Sequence, residues 1–303
     1  EKLLALASKV VSELGKDISS PLYNKIKPST RVRAKNKPIT IATLTSAIKS
    51  NKLLGQVIKG ANMLRPGPLY DEREPRMENS LIRAKKILIE YFNAFKMGVP
   101  ENWELGAEDG GYLCTNNALV SLLIALKEII SHVEKTTRLK AIDMTPEELI
   151  EEVSHYIEPV VQYFKNATYN EIRNFRRQLG TAGQKYCAYG MMEIIYHKYP
   201  NFKPAGLDEY IREKYSTRNE EFKNIVPQIQ LLISQHVISI LKKEFGVEAE
   251  KWWHEGVPVN VRLSVVERQE KDSEYRPKEE YFDLIHYSNI ISKNWDIFKE
   301  IYG

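Results

Sequence analysis

Ten cations, Lys25, Lys27, Arg31, Arg33, Lys35, Lys37, Lys49, Lys52, Lys59 and Arg65, fall within residues 18–70, an interval that holds no Asp or Glu. The whole chain of 303 residues is only +4, so the remainder is net acidic and the charge is segregated. Segregated positive charge is the electrostatic footprint of a polyanion ligand, and nucleic acid is the commonest large polyanion in cells. Each phosphate such a surface neutralises releases condensed counterions, which gives affinity without reading any base. A solvated basic loop beside an acidic neighbour has the same composition. Lys25, Lys27, Arg31, Arg33, Lys35 and Lys37 form the densest stretch and are expected to contact phosphates.

A second polar cluster joins Arg173, Arg176 and Arg177 to Gly180, Gly183, Gln184 and Lys185. Arg173 and Arg177 share one helical face, and the glycines let backbone amides and Lys185 approach a ligand. Phosphate contact is one reading; a helix ending in a glycine turn is the other. Asn116 and Asn117, at the head of an apolar run, pose the same choice between helix cap and ligand contact, with Thr115 an equal candidate for the cap.

Other chemistries lack their residues. A phosphate-binding loop needs Lys directly after its second glycine, but Ala61 follows Gly60. The six histidines, His132, His155, His197, His236, His254 and His286, show no metal-ligand spacing, and Cys114 and Cys187 have no second thiol nearby, so neither a metal nor a cofactor is expected. Two isolated thiols with no leader point to a reducing, cytoplasmic setting. The apolar stretch 118–126 is too short to cross a bilayer and is closed by Lys127. Carboxylate pairs such as Glu147 and Glu148 sit on helix surfaces, so no catalytic residue can be assigned.

The elements that must position these groups are mostly helices. Apolar spacing predicts helices led by Leu3, Leu6, Val10 and Leu14, by Leu44 and Ile48 after a Thr40 or Thr43 cap, and by Leu81, Ile82, Ile87, Leu88, Tyr91, Phe92 and Phe95. Pro66, Gly67 and Pro68 predict a loop over 60–75, and the short run 112–115 before the asparagine pair reads as a strand tip. Thr145, Pro146, Glu147 and Glu148 form a strong helix start. Further helices are expected over 170–179, 186–197 and 220–245, the last with Pro227 at its first turn or a kink. Its stripe of Ile225, Ile229, Leu232, Ile233, Val237 and Leu241 needs a partner. The fold class expected is mainly α, multi-helical, with a small β component in the N-terminal part. Two domains are expected, 1–205 and 206–303.

Several phrases resemble a known family. Ser20, Pro21, Leu22, Tyr23, Asn24, Lys25, Ile26 and Lys27, then Pro38, Ile39 and Thr40, then Gly111 to Asn117, and the run from Arg176 to Tyr186, together resemble the region downstream of the signature in DGQHR-domain proteins, relatives of DNA sulfur-modification regulators. The signature itself is absent, with Asp109, Gly110 and Gly111 its nearest approach, so the resemblance places it N-terminal of Glu1. The last hundred residues, through Trp252, Trp253, Tyr287, Asn294 and Trp295, resemble a HEPN-type helical domain. Nuclease members of that superfamily carry Arg, four to six residues and then His, and no histidine here has an Arg at that interval, so the unit is expected to bind or dimerise rather than cleave RNA; Trp252 and Trp253 read as core, and Lys293 and Asn294 as exposed.

The resemblance implies a DNA-associated accessory or regulatory protein of a prokaryotic defence or DNA-modification system. Its partners would be nucleic acid, DNA first, and other defence-system proteins, with a homodimer formed through the C-terminal domain and no membrane. The alternatives are a nucleic-acid- or nucleotide-processing enzyme and a helical scaffold for an acidic protein.

Overall fold

In the computed structural model residues 2–27, 38–58, 63–72 and 77–302 are described, with side chains excepted at 217–224. Arg31, Arg33, Lys35, Lys37 and Lys59 lie outside the described residues. The chain divides into two compact units, Glu1–Tyr210 and Ile211–Gly303. The architecture is mainly α, with two small two-stranded sheets in the N-terminal part.

In the first unit, α1 (Lys2–Lys16) leads through β1 (Ile26–Lys27) and β2 (Ile39–Thr40), which pair in parallel, into α2 (Ile41–Ser50). An antiparallel ribbon of β3 (Gly55–Ile58) and β4 (Met63–Pro66) follows. Then come α3 (Met77–Gly98), α4 (Pro100–Leu105), α5 (Asn116–Thr137), α6 (Pro146–Asn166), α7 (Tyr169–Arg176), α8 (Gly180–Lys198) and α9 (Leu207–Tyr215). The apolar run after Asn117 makes α5 the central helix: every side chain over 116–123 is buried, and α2, α6 and α8 pack around it. A helix apolar on all faces has no solvent side to offer, so it must occupy the middle. Tyr91, Phe92 and Phe95 of α3 and Trp103 of α4 fill the adjoining core, and the Trp103 indole donates to the Pro21 carbonyl at 3.3 Å.

Local capping chemistry sets the helix starts. The Thr40 hydroxyl accepts from the Thr43 amide, and Thr115 does the same for Ala118. Thr145 with Glu148, and Thr168 with Glu171, form full capping boxes. Each satisfies amides that the first helical turn leaves unpaired, and is worth about 1 kcal/mol.

The second unit contains α10 (Thr217–Phe245), a π-helical turn at Trp252–Gly256, α11 (Val259–Lys271), α12 (Leu284–Lys293) and α13 (Trp295–Tyr302). Trp252 and Trp253 are core residues, packed with Val265, Tyr281, Phe282 and Phe298. The buried Arg276 lies between Asp272 at 2.8 Å and Glu280 at 3.8 Å.

Five expectations change. The 60–75 interval is not all loop, because β4 pairs with β3; Pro66 is tolerated at the strand end, where a missing amide costs the least. Ile82 is exposed while its neighbour Arg83 is buried, because the guanidinium donates to the carbonyls of Met144 and Ala141, each at 2.7 Å, and of Pro68. Residues 112–115 form no strand but a turn leading into α5, with Asn102 accepting from the amides of Tyr112 and Leu113 in place of a strand partner. In the second unit Asn294 is buried, donating to the carbonyls of Gly256 and Ile290, while Ile225, Ile229 and Leu232 are exposed, so only the C-terminal half of the α10 stripe joins the core.

Arg83→Met keeps the stem volume but leaves two buried carbonyls unpaired, each worth about 1–3 kcal/mol. Native-state hydrogen exchange at α3 amides should show protection reduced by about 3 kcal/mol. Unchanged protection would mean that water replaces the guanidinium.

Candidate nucleic-acid interface

The cations singled out by sequence meet different fates. Lys25 pairs with Glu104 at 2.7 Å, and Lys27 is buried beside it in β1. Arg176 is also buried, its guanidinium donating to the carbonyls of Glu108, of Gly111 at 3.2 Å and of Ala107 at 3.1 Å. It therefore fastens the loop between α4 and α5 rather than facing solvent. A planar guanidinium suits this task because its fan of donors reaches several carbonyls at once. Arg173 and Arg177 are half-buried; Arg177 caps α7, its amide donating to the Arg173 carbonyl at 3.0 Å. Lys185 is exposed, its ammonium 5.6 Å from the Tyr189 ring centre.

The two asparagines act as brackets inside the fold. Asn116 donates to the Pro38 carbonyl at 2.9 Å and accepts from the Thr40 amide at 3.0 Å. Asn117 donates to the Gln178 carbonyl, and Ser121, one turn on, donates to the carbonyls of Asn117 and Gln184, each at 2.9 Å. The glycines serve the same junction. A Cβ on Gly183 would stand 2.4 Å from the Gln178 carbonyl carbon, so α8 can approach α7 that closely only with glycine there. Gly180, at φ +67°, opens α8 six residues before the expected start. The segments 38–40, 107–117 and 176–184 therefore meet around the head of α5, held by hydrogen bonds to one another.

Among the described residues of the acid-free interval, three further cations face solvent. Lys49 ends α2, Lys52 follows at the turn, its amide donating to the Lys49 carbonyl at 3.0 Å, and Arg65 sits in β4. All three are exposed, and none forms an ion pair among the described residues. The ribbon root brings them together. The Gly55 amide donates to the Lys52 carbonyl at 2.9 Å, and a Cβ on Gly67 would lie 2.3 Å from that same oxygen. Gln56 opposes Arg65 and Ile58 opposes Met63, so alternation puts these four side chains on one face of the ribbon. Ile58 and Met63 are exposed. The face thus presents an Arg–Gln pair at its root and two apolar side chains towards its tip. Lys49, Lys52 and Arg65 are among the ten cations of the interval, but charge density alone favours the 25–37 cluster over them.

One constellation invites a catalytic reading that its hydrogen bonds refuse. In the second unit Ser264 Oγ lies 3.2 Å from His286 Nε2, and Asp283 is next to the same ring. A Ser–His–Asp base needs a protonated Nδ1 that donates to the carboxylate, leaving Nε2 free to accept from serine. Here Nδ1 accepts from the Asp283 amide at 3.1 Å, completing a helix cap, so Nε2 carries the proton. The thiols are no better placed: burial pushes Cys114 up to about 12, far from thiolate at neutral pH. No cluster of three His, Cys, Asp or Glu suited to a metal occurs among the described residues. No family model, curated protein or solved structure matches the chain.

Because Arg176 acts through several carbonyls, one ammonium cannot replace it. Arg176→Lys should destabilise the first unit nearly as much as Arg176→Met, by about 3 kcal/mol, read as faster proteolysis of the 106–111 loop. Full rescue by lysine would show that charge, not geometry, holds that loop.

Proposed function

We propose that this protein binds nucleic acid, with DNA as the first partner, through the β3–β4 ribbon and the end of α2, and acts as an accessory or regulatory protein of a prokaryotic defence or DNA-modification system. The observation that carries the binding reading is the grouping of Lys49, Lys52 and Arg65, exposed and without ion pairs, at the root of a two-stranded ribbon in an interval free of acid.

Two-stranded ribbons fit the major groove of a duplex, and strands are an established means of groove reading. The cations at the root would reach phosphates. Gln56 and Arg65 offer amide and guanidinium donors to base edges or backbone, and Ile58 and Met63 suit the apolar contacts that such proteins make with bases or sugars. The choice of DNA and of a defence or modification setting leans on the resemblance to DGQHR-domain proteins, carried by the four segments around 20–27, 38–40, 111–117 and 176–186.

Three neutralised phosphates would give a plot of log affinity against log salt with a slope of about −2.7 on duplex DNA. Fluorescence anisotropy should show that slope reduced by about 0.9 in Arg65→Ala, by similar amounts on unrelated sequences if the contact is to phosphate. Combined reversal of Lys49, Lys52 and Arg65 to Glu should abolish binding at micromolar protein. Retained, salt-dependent binding in that variant would move the interface to other cations, with reversal of Arg31 and Arg33 as the next comparison. Absence of binding by the unaltered protein would end the reading.

A further inference from the structure

We propose that the first unit carries a second, separate site: a pocket for a small oxyanion of phosphate or phosphate-monoester size, between the C-terminal half of α5 and the 203–205 segment after α8. It does not depend on the ribbon.

The pocket has a volume of about 270 Å³. Sites that enclose drug-sized ligands run from about 300 to 1,000 Å³, so this one suits a phosphate group rather than a whole nucleoside. One wall is a single face of α5, where Lys127, Ser131, His132 and Lys135 recur at helical spacing. Lys203 supplies the opposite wall. Glu128, also at the rim, pairs with Lys127 at 2.6 Å, which leaves Lys135 and Lys203 with no carboxylate partner among the described residues. The lining is therefore net cationic.

The neutral donors are set in place without a ligand. The His132 ring packs edge-on against Tyr156, with centroids 5.1 Å apart, and against Phe202, at 5.3 Å. Those rings fix its plane, yet neither His132 ring nitrogen nor the Ser131 hydroxyl has a hydrogen-bond partner among the described residues. Burial, and then the charge of Lys135, lower the affinity of the imidazole for a second proton, so at neutral pH it keeps one N–H donor and one acceptor nitrogen. A half-buried ring held by aromatic packing, with its polar edge unused beside two lysines that have no carboxylate partner among the described residues, Lys203 lying 5.7 Å from the Tyr196 ring centre, is a preorganised arrangement for an oxyanion.

The test is a titration of the full chain with inorganic phosphate, followed through the imidazole nitrogens in long-range proton–nitrogen correlation spectra, with His132→Gln used to assign the His132 signals. The expected result is a saturable shift of the His132 nitrogens in the millimolar range, while the other histidines stay still. Lys135→Ala combined with Lys203→Ala should weaken it at least about tenfold while leaving the amide spectrum of the α5 core unchanged. An oligonucleotide with a 5′-phosphate, compared with its 5′-hydroxyl form, identifies the source: a shift specific to the phosphorylated end assigns the site to a nucleic-acid terminus, whereas a response to inorganic phosphate alone assigns it to a small ligand. Absence of a saturable His132 response to phosphate, or a response unaltered in the double-lysine variant, overturns the proposal. Reversal of Lys49, Lys52 and Arg65 should leave this titration untouched, so failure of the ribbon and failure of the pocket are told apart.

Discussion

The head of α5 is the point on which the first unit depends. A helix buried on all sides must have its first amides and its polar side chains satisfied inside the protein, since water does not reach them. Thr115 caps the helix, Asn116 ties it to Pro38 and Thr40, and Asn117 and Ser121 tie it to Gln178 and Gln184. Each such bond adds only about 1 kcal/mol net, but a missing partner leaves a buried polar group that costs about 1–3 kcal/mol. The junction therefore bears on specificity as much as on raw stability, because displacing the 38–40 or 178–184 segment would leave the side-chain amides of Asn116 or Asn117 without these partners. Because Thr40 in turn caps α2, the same junction sets the direction in which α2 delivers Lys49 and Lys52 to the ribbon root.

That dependence explains why charge and chemistry part company here. Arg83, Arg176 and Arg276 are all buried, two of them with their guanidinium groups turned towards backbone carbonyls and the third set among carboxylates. Arginine tolerates such places because its weakly hydrated, planar head can satisfy several acceptors together. A count of positive residues cannot separate these from Lys49, Lys52 and Arg65, which keep their charge in solvent. What decides the matter is whether a turn of chain with unpaired carbonyls lies within reach, and that is a property of the folded molecule.

The sequence made some of this legible. Thr145 with Pro146 and Glu148 is a local signal, read within four residues, and it marks a helix start that the structure bears out, while of the alternatives left open the structure caps α2 with Thr40 and α5 with Thr115. The misses share one cause. Ile82 looks buried and Arg83 exposed unless the carbonyls of Met144 and Ala141, some sixty residues away, are known. Met63 to Pro66 read as loop because the pairing with β3 that makes them a strand is a tertiary contact, whereas Gly67 and Pro68 do lie outside the strand. Asn116 and Asn117 left two readings open because an amide that brackets backbone and one that binds a ligand have the same composition.

The geometry of α5 also bears on how the two proposed sites relate. Its head orients the ribbon through 38–40, and its C-terminal half carries Lys127, Ser131, His132 and Lys135. Its 22 residues span about 33 Å at 1.5 Å per residue. Energetic coupling over such a distance requires an element with two discrete arrangements that both ligands bias. Helix α5 is packed on by α2, α6 and α8 and its polar head is held by hydrogen bonds to 38–40 and 178–184, which ties it to one arrangement in the packed core. On the proposed reading, occupancy of the pocket is therefore not expected to pass along α5 to the ribbon.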